Sequence, residues 1–452
     1  MRCTQPLRAG AQACQAWTPR RAPPRSRPVA PSPLSPSWSC RRCFSATARR
    51  RRPQQPPPPP APPLPNAVTA PPGAVVFSGI QPTGVPHLGN YLGALQRWVE
   101  LQDKFTADAT GNSNRGGGGT RLYYSVVDLH ALTSVQAGAA GTAGGDALRQ
   151  HRRKTLAALL AIGLDPERCV LFYQSAVPAH AELMWLLSCT ASVGYLSRMT
   201  QWKSKLHLAD DASFADERAR AALKLGLFSY PVLQAADVLV HRATHVPVGA
   251  DQCQHLEFAR ECAAGFNHVH GPLLVAPTTL LSPARRVMSL QQPTQKMSKS
   301  HADARSRILL TDTAEAATAK IMAARTDSTN AVTYDALQRP GVANLLEILA
   351  LVGEEGSGGS SGGSAGADGE DNNTAAAAAA LAAELEGQPL RVLKERVAAA
   401  VVRRLAGVRA RFVDVLERDG GAYLDRVADH GAHKARANAA ETMDAVRTAL
   451  GL

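Results

Sequence analysis

The segment Ala74-Val-Val-Phe-Ser-Gly-Ile80 is short and apolar, and a loop rich in proline and glycine follows it from Gln81 to Asn90. An amphipathic stretch then runs from Tyr91 to Gln102. A short apolar run that ends at turn residues is typical of a buried strand, while the later spacing predicts a helix. Strand, loop and helix in this order form the first half of a βαβ unit, in which ligands bind beyond the carboxyl end of the strand.

Alternation of strands and helices continues along the chain. Three further segments read as buried strands: Arg121 to Leu129, Cys169 to Tyr173 and His245 to Val248. Three others have the apolar spacing of helices: Ala147 to Gly163, His180 to Thr190 and Leu223 to Val240. Because parallel strands need a crossover between them, usually a helix, this order predicts an α/β fold with a parallel sheet.

The end of the chain predicts helices alone. Residues 353–380 begin with glycine and serine and end in an alanine run, which is typical of a linker that runs into a helix. Leu390 to Leu450 is rich in Ala, Leu, Arg and Glu, the composition of a helical domain. Helix breaks are expected near its glycines: Gly407, Gly420, Gly421 and Gly431.

The charge of the chain is concentrated in its first segment. The 452 residues carry a formal net charge of +13, but residues 1–65 contain 12 arginines and no lysine or acidic residue, so the remainder carries only +1. Residues 1–72 also hold 19 of the 31 prolines. Such a segment buries too little apolar surface to offset the entropy of ordering, so we expect disorder over 1–72. The nearly neutral remainder restricts any nucleic-acid contact to local patches.

The composition of this extension indicates targeting. It is rich in arginine and contains serine but no acid, which is typical of an organelle transit peptide, and it lacks the apolar core of a secretory signal. Arg42-Cys-Phe-Ser45 resembles a mitochondrial processing site, with cleavage near Phe44. We expect the mitochondrial matrix, while a plastid stroma, dual targeting and a basic tail that binds a partner stay open as alternatives.

The sequence argues against a membrane span, a metal site and a disulfide framework. No apolar run is long enough for a spanning helix. Four of the eight cysteines lie in the extension and include the only Cys-x-x-Cys, Cys40 to Cys43. The other four lack the spacing of zinc ligands, so we expect buried or incidental thiols.

The loop after the first strand ends in Pro86-His-Leu-Gly-Asn90 and opens a helix. A helix N-terminus offers free backbone N–H groups and a dipole that favours an anion. Gly84 and Gly89 allow a nucleotide to approach the backbone, and His87 can donate a hydrogen bond to a phosphate oxygen. Taken alone, this motif is better explained as a turn with a satisfied histidine.

A second motif, Lys296-Met-Ser-Lys-Ser300, lies about two hundred residues later. Two lysines three positions apart can bind separate phosphates as point charges, and the two hydroxyls add donors. The alternative is a solvated basic loop, but the pentapeptide is far more specific than a run of charge.

Together the two motifs resemble the paired signatures of class I aminoacyl-tRNA synthetases. Eight segments are similar to tryptophanyl-tRNA synthetases of the bacterial and organellar type: Phe77 to Gly84, His87 to Asn90, Val127 to His130, Ser175 to His180, Arg198 to Gln201, Tyr230 to Asp237, Val246 to Gln252 and Val287 to Leu290. Their number and order make the resemblance specific from about Val75 to Leu452. The tyrosyl sister family usually ends its first motif in Gly-His, where this chain has Gly89-Asn90.

The resemblance implies roles for the residues at matching positions. The predicted catalytic residues are His87, Lys296 and Lys299. The predicted ATP contacts are Gln81, Pro82, Thr83, Gly89, Asn90, Gly249, Ala250, Asp251, Val287, Lys296, Met297, Ser298, Lys299 and Ser300. The predicted contacts with tryptophan are Phe77, His130, Tyr230, Gln234, Asp237 and Gln252. Among these, Asp237 is expected to bind the indole N–H.

Three further positions qualify this assignment. Lys205 is a weaker candidate for a pyrophosphate contact. Ala250 and His301 stand where the family often has acidic residues, which leaves the ATP affinity open. Without the resemblance, His130 would be interpreted first as a satisfied core histidine.

The reaction that the resemblance implies is adenylyl transfer. The tryptophan carboxylate attacks the α-phosphate of ATP, pyrophosphate leaves, and the tryptophanyl group then moves to the terminal ribose of tRNA(Trp). A carboxylate needs no general base, so the work is positioning and electrostatic stabilisation, with Mg²⁺ on the phosphates. The family also implies a Rossmann-like catalytic domain at 73–310, a helical anticodon-binding domain at 311–452 with its low-complexity insert at 353–380, and a homodimer.

Other interpretations stay open at this point. One is a tyrosyl-type ligase or a small-molecule adenylyltransferase with the same sheet; the helical end argues against the adenylyltransferase and Asn90 against tyrosine. Another is a non-catalytic tRNA-binding synthetase paralogue. The intact residues His87, Lys296, Lys299 and Asp237 argue against it.

Overall fold

The computed structural model describes residues 70–71, 73–109, 120–134, 142–206, 208–209, 216–281, 287–299, 301–353 and 367–452. The predicted cleavage site and nearly all of the predicted disordered extension lie outside these residues. The glycine-rich stretch 354–366 and Ser300 of the lysine motif lie outside them as well.

Five parallel strands form one sheet in the described part of the chain: β1 (Val75–Ile80), β2 (Arg121–Val126), β3 (Val170–Tyr173), β4 (His245–Val248) and β5 (Thr278–Leu281). Their spatial order is β3-β2-β1-β4-β5, so the direction of strand succession reverses at β1. On its two sides β1 pairs Phe77 with Tyr123 and Val76 with His245. Parallel sheets bind ligands where the strand order reverses, which places the expected site beyond β1 and β4.

Helices connect and cover the strands. The first ten are α1 (Leu88–Asn90), α2 (Gln96–Ala109), α3 (Asp128–Ala131), α4 (Thr142–Ala161), α5 (Ala179–Ser188), α6 (Val193–Arg198), α7 (Thr200–Lys205), α8 (Glu217–Ala222), α9 (Leu225–Val240) and α10 (Cys253–His270). A π-helical segment, Tyr91–Leu95, joins α1 to α2. None of the described helices is long and apolar enough to cross a bilayer.

The predicted parallel α/β fold is confirmed, with two differences of detail. The strand predicted over Arg121 to Leu129 ends at Val126, because α3 begins two residues later. Strand β5 was not predicted from the sequence.

The sheet carries an apolar core on each face, because side chains alternate in direction along a strand. Val76 and Tyr124 pack on one face, in a cluster that includes residues of α2, α4 and the long helix Leu390–Glu417. Phe77 and Tyr123 pack on the other face with residues of α5, α9 and α10.

The end of the chain is helical, as predicted. Its helices are α11 (Ala314–Met322), α12 (Pro340–Gly353), α13 (Ala367–Glu384), α14 (Leu390–Glu417) and α15 (Ala422–Leu450). The break predicted at Gly420 and Gly421 is confirmed: both residues have positive φ, 63° and 89°, which glycine adopts at little cost.

The breaks predicted at Gly407 and Gly431 are wrong, because both glycines lie inside helices. Gly431 lets α15 lie directly against β3, since a β-carbon there would stand 1.8 Å from the carbonyl oxygen of Leu171. The last helix therefore packs on the sheet itself, and its residues Ala435 and Met443 share the core of Phe77.

Candidate active site

A cavity of about 290 Å³ opens where the residues of β1, β4 and α9 converge with those that follow β2. The six residues predicted to contact tryptophan all line it: Phe77, His130, Tyr230, Gln234, Asp237 and Gln252. Gln81 of the loop after β1 and Lys205 of α7 line it as well. The fold thus brings together side chains from segments that lie far apart in the sequence.

Asp237 on α9 is 2% exposed and forms a polar centre in the cavity wall. Its Oδ2 accepts a hydrogen bond from Nε2 of His130 at 2.8 Å, and its Oδ1 accepts one from Nε2 of Gln174 at 2.7 Å. Nδ1 of His180 lies 2.7 Å from Oδ1, at an angle outside hydrogen-bond geometry. A carboxylate has about four acceptor positions, so the hydrogen bonds from His130 and Gln174 leave acceptor capacity for a donor in the cavity that Asp237 lines.

The charge of Asp237 is set by these partners. Burial by itself raises the pKa of the carboxyl group, but the hydrogen bond from His130 and the close approach of the His180 ring outweigh burial and lower the pKa below its ordinary value. Asp237 is therefore ionised at neutral pH. A carboxylate makes a stronger hydrogen bond to an N–H group than a neutral oxygen does.

Tyr230 forms a second polar position in the wall. Its hydroxyl donates to Oε1 of Gln201 at 2.9 Å and lies 2.8 Å from Nε2 of His255. Burial, as the largest influence, lowers the pKa of His255 to about 4, so its neutral ring donates from Nε2 to the hydroxyl. The ammonium group of Lys205 lies 4.6 Å from the centre of the Tyr230 ring, a cation–π contact, and burial lowers its pKa.

The turn after β4 connects the pocket to three of the predicted ATP contacts. Gln252 accepts a hydrogen bond from Nε2 of Gln234 at 3.2 Å and donates one to Oδ2 of Asp251 at 2.7 Å. The backbone N–H of Gln252 donates to the carbonyl oxygen of Gly249 at 2.9 Å. The side chain of Ala250 lies outside the described atoms.

His87 caps α1. Its Nδ1 accepts a hydrogen bond from the backbone N–H of Asn90 at 3.2 Å, and Oδ1 of Asn90 accepts one from the backbone N–H of His87 at 3.1 Å. This reciprocal pair is a capping box, which fixes the start of the helix. Because Nδ1 is an acceptor, the proton of a neutral His87 ring sits on Nε2.

The ring of His87 is uncharged at neutral pH. Burial, followed by the charges of Lys299, Arg307 and Lys296, lowers its pKa to about 4. No carboxylate is among the causes of this shift. His87 therefore offers an Nε2–H donor that adds no further charge to an already cationic surface.

Lys299 joins the two motifs. Its Nζ donates to Oγ1 of Thr83 and to the carbonyl oxygen of Gly84, both at 3.0 Å. Burial, and then the charge of Arg307, lowers the pKa of the ammonium group to about 8, so it stays a cation at neutral pH. The lysine motif and the loop after β1 thus form one basic surface.

The other predicted ATP contacts lie around this junction. The backbone N–H of Met297 donates to the carbonyl oxygen of Val287 at 3.0 Å, and Met288 forms an antiparallel bridge with Lys296. A β-carbon on Gly89 would lie 3.5 Å from Cβ of Val287. The remaining members differ in exposure: Pro82 is buried, Ser298 half-buried and Lys296 exposed.

Reasoning from the sequence missed four polar residues of the site: Gln174, His180, Gln201 and His255. Three of them lie within or beside segments already seen as similar to synthetases. Gln174 and His180 are fully buried. A polar side chain in apolar surroundings needs a partner, but that partner is visible only in the fold.

Several cationic side chains of the helical end form ion pairs or hydrogen bonds within the chain. Arg391 forms an ion pair with Glu395, and Arg396 forms one with Glu384. Two others donate to backbone carbonyl oxygens: Lys394 to those of Met322 and Ala324, and Arg411 to that of Ala161. These four side chains therefore stabilise the helical end, whatever else they contact.

Comparisons with known proteins agree with this geometry. A family model described as class I tRNA synthetases (W and Y) matches residues 72–385. The mitochondrial tryptophan–tRNA ligase of Schizosaccharomyces pombe is 41% identical over 396 residues, which are 86% of this chain and 98% of that protein. The crystal structure of the tryptophanyl-tRNA synthetase of Mycoplasma pneumoniae is similar with a TM-score of 0.65 and 29% identity, over 84% of this chain and 98% of that chain. The Campylobacter jejuni synthetase, complexed with ADP and tryptophan, has a TM-score of 0.61 and 28% identity, over 84% of this chain and 100% of that chain.

A parallel sheet whose crevice joins a helix cap, a lysine loop and a buried polar pocket defines a Rossmann-like, nucleotide-binding class of enzyme. Within that class the extent of the sequence matches is decisive. The chain belongs to the class I tRNA synthetases of the W and Y family, in the bacterial and organellar tryptophanyl group.

Proposed function

We propose that this chain is a tryptophan–tRNA ligase. It activates L-tryptophan with ATP to tryptophanyl-adenylate and pyrophosphate, and then transfers the tryptophanyl group to tRNA(Trp). The observation that carries the proposal is Asp237, a buried carboxylate that lines a cavity beside the basic surface of the two motifs and keeps acceptor capacity beyond its hydrogen bonds to His130 and Gln174. Membership of the family, and relatives that bear this name, support it.

The pocket fits the tryptophan side chain by its chemistry. The indole N–H is a donor only, so it requires a fixed acceptor, which the ionised Asp237 provides. Phe77 and Val246 supply apolar wall for the ring system. A hydrogen bond to a charged group contributes about 1.5–3 kcal/mol, and a site with a required polar partner strongly rejects an analogue that lacks it.

The phosphate side supplies positioning and charge. Lys296, Lys299 and the Nε2–H of neutral His87 are proposed to stabilise the negative charge that develops as the tryptophan carboxylate attacks the α-phosphate. The Campylobacter jejuni structure, complexed with ADP and tryptophan, supports the proposal that this chain binds a nucleotide. Mg²⁺ is proposed to enter on the ATP phosphates.

The domain assignment is likewise a proposal. Residues 73–310 form the catalytic domain and 311–452 the domain that reads the tRNA anticodon. The helical composition of the second part supports this division. The boundary at residue 310 separates two functions along the sequence. It does not separate two apolar cores, because α15 shares a core with the sheet.

The quaternary structure is proposed to be a homodimer. Trp185 on α5, Val193 at the start of α6 and Leu225 at the start of α9 are 69%, 61% and 78% exposed. Both α5 and α6 pack against α9, so these apolar side chains lie on neighbouring elements. Analytical sedimentation of the wild type should show a dimer, and Trp185→Ser should weaken it. Leu337→Ser, at an exposed leucine elsewhere on the chain, is the control and should leave the dimer intact. A monomeric wild type contradicts the proposal.

The proposed location is the mitochondrial matrix. The acid-free, arginine-rich extension supports it, and so does the similarity to a mitochondrial ligase over most of the chain. A fluorescent protein that carries residues 1–72 should be imported into mitochondria, and a fusion that stays in the cytosol contradicts it.

Pyrophosphate–ATP exchange with each of the twenty amino acids tests the reaction. The full chain should exchange with tryptophan and should be at least about 10³-fold less active with tyrosine or phenylalanine. Exchange with tyrosine overturns the substrate assignment. A folded protein that binds tRNA but exchanges with no amino acid favours the non-catalytic alternative.

A further inference from the structure

Three buried polar side chains extend the contacts of Asp237 away from the cavity. Nε2 of His180 lies 3.3 Å from Nε2 of His241, and Nδ1 of His241 lies 2.8 Å from Oδ1 of Asn438. The exposed fractions are 0% for both histidines and 8% for Asn438. The chain of contacts therefore runs from Asp237 on α9, through α5 and the residue after α9, to the last helix, α15.

His241 is held in one orientation by the sheet. Its ring stacks on Phe77 and Tyr123, with centroid distances of 5.6 and 4.9 Å and interplanar angles of 18° and 16°. These two aromatic residues are register partners on β1 and β2. The stacked rings restrain His241 in an orientation that directs its two nitrogens at His180 and Asn438.

A count of protons shows that Asn438 completes this chain. Burial, and then the charge of His180, lowers the pKa of His241 to about 3, so its ring is neutral and carries one N–H. We place a proton on Nδ1 of His180, because two lone pairs would repel each other across the 2.7 Å that separate this nitrogen from the Asp237 carboxylate. Two arrangements then remain for the links beyond His180.

In the first arrangement the Asn438 oxygen accepts from Nδ1 of His241, and Nε2 of His241 accepts from Nε2 of His180. In the second, the amide is turned, its NH₂ group donates to Nδ1, and Nε2 of His241 donates to Nε2 of His180. The amide of Asn438 satisfies either one, because it carries both an acceptor and a donor. Removal of the amide leaves a buried nitrogen of His241 without a partner.

We propose that Asn438 is a positioning residue for amino-acid recognition: from the last helix, through His241 and His180, it fixes the Asp237 carboxylate that accepts the indole N–H. This rests on the proposed function, because it needs tryptophan in the cavity. Selection of the amino acid then depends on a helix that lies outside the proposed catalytic domain.

Binding of two ligands to the full chain tests this role. One ligand is L-tryptophan and the other is its benzothiophene analogue, in which sulfur replaces the indole N–H. Asn438→Leu should raise the dissociation constant for tryptophan about 5–10-fold, the worth of one buried hydrogen bond. The dissociation constant for the analogue should change less than about 2-fold, because the analogue has no N–H group to donate a hydrogen bond to Asp237.

A matched control lies one turn further along α15. Thr442 is 1% exposed, and its hydroxyl has no partner in the described part of the chain, so Thr442→Val should leave both constants unchanged. Asn438→Ala, which adds no bulk, gives the same comparison if leucine unfolds the protein. Wild-type tryptophan binding in both Asn438 variants, or an equal loss for both ligands, overturns the proposal. A wild-type chain with no tryptophan-dependent exchange instead rejects the function on which it rests.

Discussion

The two sides of the active site bury titratable groups with opposite results. On the phosphate side, formed by residues 81–90 and 296–299, burial and neighbouring cations lower the pKa of His87 until its ring is neutral. In the side-chain pocket around Asp237, burial opposes ionisation, but the hydrogen bond from His130 and the close approach of His180 outweigh it and preserve the charge. Burial alone therefore does not decide the charge state of a group; the partners buried with it do.

The two sides also differ in how they are built. The phosphate side consists of two short contiguous segments, which Lys299 joins by its hydrogen bonds to Thr83 and Gly84. The pocket is assembled from single residues on separate strands and helices. Variants on the phosphate side should therefore change turnover of ATP, while variants in the pocket should change recognition of tryptophan.

The largest separation of the two sides is expected from Asp237→Asn. The NH₂ group of the new amide is itself a donor, and it would face either the donor of His130 or the donors of Gln174 and His180. Where the NH₂ group faces the indole N–H of tryptophan, two donors would again oppose each other. We expect kcat/KM for tryptophan in pyrophosphate exchange to fall by about 10³–10⁴-fold. The affinity for ATP, measured by equilibrium binding, should remain close to that of the wild type. A comparable loss of ATP binding would mean that the two sides are not independent.

The converse variant is Lys299→Met, which keeps most of the length of the side chain and removes its charge. Loss of one preorganised donor to a developing charge should lower kcat for exchange by about 10²–10³-fold. The tryptophan dissociation constant should stay unchanged. Lys104→Met, at an exposed lysine of α2, is the matched control and should behave like the wild type. Weaker tryptophan binding in Lys299→Met, with kcat intact, would reverse the assigned roles.

The same difference in construction explains what the sequence predicts and what it does not. The phosphate side was recognisable because His87 to Asn90 and Lys296 to Lys299 are contiguous, and the strands that frame it have clear apolar runs. The partners of Asp237 were not, because Gln174 and His180 meet it only after the sheet has formed.

Gly431 shows a related limit. Its sequence context predicts a helix break, but the space that a side chain would occupy is filled by the backbone of β3, a contact between residues about 260 positions apart. Local propensity cannot report such a contact, since it depends on tertiary packing.

The charge states themselves predict how stability depends on pH. The pKa of His87 is about 4 in the folded chain, below its ordinary value of 6.5. Above pH 6.5 both states are neutral; as the pH falls toward 4, only the unfolded chain takes up the proton, so the folded state loses stability. For His87 the loss amounts to about 3 kcal/mol.

Urea unfolding of the wild type and of His87→Asn, at several pH values across this range, measures the contribution. Asparagine keeps a helix cap but does not titrate, so the variant should lose less stability on acidification. The decline should not vanish, because the pKa values of His241 and His255 are lowered in the same direction, chiefly by burial. Identical pH profiles for the two proteins would show that His87 is not a buried neutral base.

The smallest expected effect tests whether every polar group of the pocket contributes as Asp237 does. Tyr230→Phe removes the hydroxyl that Gln201 and His255 share, so KM for tryptophan should rise only about 3–10-fold, with kcat nearly unchanged. Tyr334→Phe is the matched control, because its hydroxyl donates to Glu347 at 2.9 Å outside the pocket. Both variants should lose similar stability in urea, but only Tyr230→Phe should change KM. An equal change of KM in both variants would mean that recognition of tryptophan depends on the general stability of the protein. A change in Tyr230→Phe as large as that in Asp237→Asn would mean that two residues of the pocket determine specificity.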